Sequence, residues 1–106
     1  MPKPNVAIVG LGLIGGSLAR ALRSADAAGR IAAFDTDPRQ RRLGVELGVV
    51  DAAPESAAAA VAGADVVVLA VPVLHTAEAL RACRESLEPD AVVTDVGSTK
   101  QSVLAD

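Results

Sequence analysis

The stretch Val6-Ala7-Ile8-Val9-Gly10-Leu11-Gly12-Leu13-Ile14-Gly15-Gly16-Ser17 decides how the rest of the chain is read. Val6 to Val9 is a short, unbroken apolar run, the pattern of a strand buried on both faces. The glycines that follow are spaced G-x-G-x-x-G at positions 10, 12 and 15. That spacing alone says little, because short glycine patterns arise by chance. Its setting makes it informative. The first glycine directly follows the strand, and the third falls inside a helix predicted over residues 13–24, where Leu18, Ala21 and Leu22 recur at helical spacing opposite Arg20 and Arg23.

Downstream, Ile31-Ala32-Ala33-Phe34 repeats the buried-strand pattern and ends at Asp35. Asp37 and Pro38 are suited to the N-cap and first position of a second helix, which Gly48 stops. Val49-Val50 is read as a short third strand, and the Ala-rich residues 54–62 as a short helix, since Ala costs least in a helix. Residues 66–71 form the strongest strand pattern, and Pro72 ends it. A helix over residues 76–87 and a fifth strand over 91–94 follow, then a polar loop and the start of another helix. Alternating strands and helices, with strands apolar on both sides, imply a parallel sheet covered on both faces. The expectation is a Rossmann-type doubly wound α/β fold with its first five strands in the order 3-2-1-4-5, the sixth lying beyond residue 106. An uncovered fifth strand is an edge that invites aggregation.

In this setting each glycine answers a different demand. Gly10 permits the tight turn, Gly12 lets a pyrophosphate approach the backbone, and Gly15 lets helix and strand pack closely. The amides of Leu13 and Ile14, at the helix N-terminus, face the phosphates. The motif also calls for an acid about 20 positions on, at the end of the second strand, to hold the adenosine ribose. Asp35 fills that place. A carboxylate there repels a 2′-phosphate, so NAD is preferred over NADP, although Arg39, Arg41 and Arg42 stand close enough in sequence to be weighed as a phosphate site. Ligands of such sheets bind outside the carboxyl ends of the strands, which adds Val71 and Pro72 to the cofactor-binding set.

Composition excludes more than it establishes. The 106 residues carry a net charge of −3 and a single aromatic residue, which argues against a nucleic-acid partner and against an anionic membrane surface. One Cys, Cys83, can make no internal disulfide and builds no structural zinc site. The carboxylates Asp51, Glu55, Asp65 and Glu88 have no metal-ligand spacing, so no metal is expected. The glycine-broken apolar start reads as strand plus helix, not as a signal peptide, and the expected setting is cytoplasmic.

The segments GLGLIGGS (residues 10–17), VLAVPV (68–73) and DVGSTK (95–100) resemble the prephenate dehydrogenase family, in particular its N-terminal nucleotide-binding domain. Arogenate and cyclohexadienyl dehydrogenases share these segments. The resemblance implies oxidative decarboxylation of prephenate or arogenate on the route to tyrosine, with NAD accepting a hydride from the ring carbon that bears the hydroxyl. By the same resemblance Ser98 contacts the substrate and the catalytic histidine; a bare serine is no nucleophile without a base, and its other reading is an N-cap. The family's His-Pro segment has no counterpart here: the sole histidine, His75, opens the fourth helix and reads as a polar, partly exposed residue. Residues 1–106 are therefore expected to be an incomplete NAD-binding domain, inactive alone, with the helical substrate and dimerisation domain lying elsewhere and a homodimer expected only of the full-length protein. Another Rossmann reductase, a non-catalytic nucleotide-binding module and an unfolded gene fragment remain open alternatives.

Overall fold

The first apolar run forms a central strand, β1 (Asn5–Val9), flanked on one side by β2 (Arg30–Phe34) and on the other by β3 (Val66–Leu69). β3 pairs in turn with β4 (Val92–Asp95), so the parallel sheet has the order β2-β1-β3-β4. This computed structural model describes residues 3–96. The register sets Val9 opposite both Phe34 and Leu69, which brings the carboxyl ends of β1, β2 and β3 to one level.

The unbroken apolar strands are explained by cover on both sides. Val6, Ile8, Ile31, Ala33 and Val68 face α1 (Leu13–Ser24), whose Ala19 is fully buried among them. Ala7, Val9, Val67 and Leu69 face the other way, against Ala57 and Val61 of α3 (Ala57–Val61) and Cys83 of α4 (Thr76–Cys83). The helix α2 (Pro38–Glu46) is anchored differently: it buries no residue fully, and starts where Asp37 accepts the Arg39 N–H at 2.9 Å. Its end is marked by Gly48 in the left-handed region, φ +71°.

The expected doubly wound α/β architecture is present, with four strands instead of five. Val49-Val50 makes no strand; after it, the chain meets the outer edge of β2 at an isolated parallel bridge between Ala32 and Ala52 and through Asp51, whose N–H donates to the Ile31 carbonyl at 2.8 Å. The reason is local. The Asp51 carboxylate takes the Ile31 N–H at 2.8 Å, a donor that a neighbouring strand would otherwise use, and Pro54 has no N–H to extend the ladder. The remaining strands keep the expected relative order. α3 is shorter than expected because Ser56 caps it, accepting the Ala59 N–H at 3.1 Å. α4 ends at Cys83 and gives way to a tighter 3-10 turn, Arg84–Ser86. The helix expected near the chain end lies outside the described residues.

Two consequences are measurable. A Cβ on Gly15 would lie 1.8 Å from the Gly10 carbonyl oxygen, which backbone cannot vacate. Gly15→Ala is expected to lower stability by roughly 3 kcal/mol or more, read by denaturant unfolding; a wild-type melt would contradict the close packing. The hydrogen bond from Ile31 N–H, aided by Arg23, holds the Asp51 carboxyl below the ordinary carboxylate value. A group so depressed stabilises the fold above its unfolded value, and that contribution is lost as pH falls through the folded one. Asp51→Asn should therefore melt below wild type at neutral pH, with the gap closing as the solution is acidified below the usual carboxylate range.

Candidate functional site

The three motif glycines are demanded by different surroundings. Gly10 has φ +107° and donates its N–H to the Phe34 carbonyl at 2.7 Å, and a Cβ there would lie 2.5 Å from the Ala70 oxygen. Gly15 sits against Gly10 itself. Gly12 is unlike both: its backbone is extended, and a Cβ would meet nothing within 4 Å. No neighbour in the described protein requires glycine at 12; what a side chain there would occupy is open space in front of α1.

The N-terminus of α1 also differs from those of α2 and α3. Asp37 and Ser56 cap α2 and α3 with their side chains, whereas Gly12 offers no side chain and the first turn of α1 holds no acid. Its leading amides and the positive end of its dipole make a setting suited to an anion.

These features border a cleft of about 560 Å³ at the carboxyl ends of β1, β2 and β3. Gly10, Gly12, Asp35, Val71 and Pro72, all expected from the sequence, line it. Leu13, Ile14 and Gly15 do not. Gly15 is packed behind the wall, and the Leu13 side chain is 88% exposed, so Leu13 and Ile14 have only first-turn amides to offer. Phe34, Thr36, His75, Glu78, Ala79 and Ala82 also line the cleft and were not in the expected set. The last four follow from the phase of the fourth helix against the sheet, which the sequence pattern leaves free. His75 is, as read, an exposed residue at the helix start, and it borders the cleft all the same. Ser98 lies outside the described residues.

Asp35 is half-buried and already engaged. One carboxylate oxygen accepts the Leu11 N–H at 2.8 Å and the other accepts the Asp37 N–H at 2.9 Å. About two of its acceptor positions remain for a ligand's hydroxyls. The Leu11 bond also ties the glycine loop to the end of β2, a role that motif spacing does not reveal. The basic cluster is largely committed to protein partners. Arg41 donates to the Asp35 carbonyl at 2.8 Å and stands 5.9 Å from the Phe34 ring centre, while Arg39 pairs with Asp37 at 3.3 Å. Burial pushes the Cys83 thiol up, the setting of an unreactive core residue. Among the described residues, no cluster of His, Cys, Asp or Glu could hold a metal, and no helix is long and apolar enough to cross a membrane.

A cleft of this kind, at the strand ends and beside an uncapped helix, accords with the relatives found for the chain. The curated prephenate dehydrogenase of Bacillus subtilis is 38% identical over 96% of this chain and 28% of its own length. The cyclohexadienyl dehydrogenase of Zymomonas mobilis is 34% identical over 94% of this chain and 34% of its own. Among solved structures, prephenate dehydrogenase from Aquifex aeolicus in complex with hydroxyphenyl propionate and NAD+ superposes with a TM-score of 0.80 at 35% identity, over 90% of this chain and 34% of that one. The chain thus spans about a third of the length of these relatives. The family model described as prephenate dehydrogenase, nucleotide-binding domain, matches residues 18–106, and the chain belongs to that family.

Proposed function

We propose that residues 1–106 are the NAD-binding part of a dehydrogenase that oxidatively decarboxylates prephenate or arogenate. The observation that carries the reading is Gly12, where a glycine with no protein neighbour at its missing Cβ borders the cleft at an uncapped helix N-terminus. In this reading Gly12 and the amides of Leu13 and Ile14 hold the pyrophosphate, and Asp35 accepts the adenosine ribose hydroxyls. Val71 and Pro72 form the wall at the end of β3. NAD, when bound, supplies the hydride acceptor. The Asp35 carboxylate disfavours a 2′-phosphate, and the engagement of Arg39 and Arg41 with Asp37 and the Asp35 carbonyl supports NAD over NADP.

Ser98 contacts the substrate in this reading, and the substrate-binding helical region and homodimer contacts belong to a longer protein, consistent with relatives of about three times this length. The setting is the cytoplasm, where NAD is at hand. The 106 residues alone bind the dinucleotide without turnover, since the sole histidine, His75, is not in the His-Pro setting of the family's base.

Calorimetric titration tests the binding. NAD is expected to bind at least about tenfold more tightly than NADP. Gly12→Val, which fills open space, should melt like wild type and bind NAD roughly 10- to 150-fold more weakly, the loss of one charge-assisted contact. Unchanged affinity in that variant would overturn the assignment. For the activity, NADH formation from prephenate and from arogenate is expected of the longer protein and not of residues 1–106; turnover of neither substrate by the longer protein would reject the reading.

A further inference from the structure

The wall of the cleft formed by α4 carries two polar side chains with no assigned role. His75, Glu78, Ala79 and Ala82 fall at i, i+3, i+4 and i+7, and so line the cleft from one helical face. The two alanines, with Phe34 on the end of β2, make an apolar slot beside Asp35. A planar ring attached to the ribose that Asp35 holds would enter that slot.

We infer that Glu78 reads the base in this slot as adenine, a step that rests on the dinucleotide reading above. A carboxylate only accepts hydrogen bonds, and the exocyclic amino group of adenine only donates them. Hypoxanthine presents a carbonyl oxygen at the same position, which a carboxylate repels. His75 stands next to Glu78 on the same wall, its Nδ1 3.7 Å from the Glu78 carboxylate. The carboxylate acceptor thus matches the amino group of adenine and mismatches the carbonyl of hypoxanthine. The Glu78 side chain is 76% exposed, so its removal is expected to spare the fold and isolate its effect on the ligand.

The test is calorimetry on the 106-residue chain with NAD and with nicotinamide hypoxanthine dinucleotide, which differ only in the base. Wild type should prefer NAD on the order of tenfold. Glu78→Ala should weaken NAD and strengthen the hypoxanthine analogue, so that the two bind alike. Glu78→Gln, whose amide can turn to donate or accept, should strengthen binding of the analogue. Equal affinities in wild type, or a preference that survives Glu78→Ala, would overturn the base reading and leave dinucleotide binding standing. Binding of neither compound by wild type would remove both.

Discussion

The contact on which the arrangement hangs is that of Gly15 with the carbonyl of Gly10, where α1 lies so close to the end of β1 that no side chain fits between them. This approach aims the N-terminus of α1 across the carboxyl ends of the strands. It also lowers Ala19 onto Val6 and Ile8 and turns Gly10 into its left-handed conformation against Ala70. The crossing is built from small residues, in keeping with a chain that has one aromatic ring in 106 residues. Close backbone approach stands in for bulky side chains, and dispersion between tightly packed atoms replaces large buried areas.

Around that crossing the molecule separates structural from ligand-facing demands. Gly10 and Gly15 are fixed by their neighbours; Gly12 is fixed by none. α2 and α3 satisfy their leading amides with Asp37 and Ser56, and α1 leaves its own open. The opposite border of the sheet is incomplete in another sense. Val92 on β4 is 61% exposed, and the strand has a partner only on its β3 side among the described residues.

Most of this was legible from residues 6–15 and Asp35, because strand-turn-helix geometry imposes glycine at fixed offsets and buried strands announce themselves by unbroken apolar runs. The misread third strand shows where pattern fails. Val49-Val50 has the right side chains, yet pairing with β2 was decided by the Asp51 carboxylate taking the Ile31 N–H, a side-chain substitution for backbone that apolar patterning does not register. That His75 and Glu78 face the cleft was not legible for a different reason. Their facing depends on how α4 is rotated against the sheet, and that is set by Cys83, Ala79 and Leu80 packing under it, not by any local motif.

The position of Asp35 bears on how such a site can evolve. Its carboxylate both faces the cleft and holds the Leu11 and Asp37 amides, so the residue proposed to select the coenzyme is also a strut of the glycine loop. A single exchange toward a neutral or basic side chain would relieve the repulsion of a 2′-phosphate and, in the same step, orphan two backbone donors. A lineage drifting from one coenzyme to the other must cross a valley in which neither is held well, unless a second substitution first supplies a new acceptor for Leu11. On that proposal, coenzyme choice is protected by scaffolding as much as by charge.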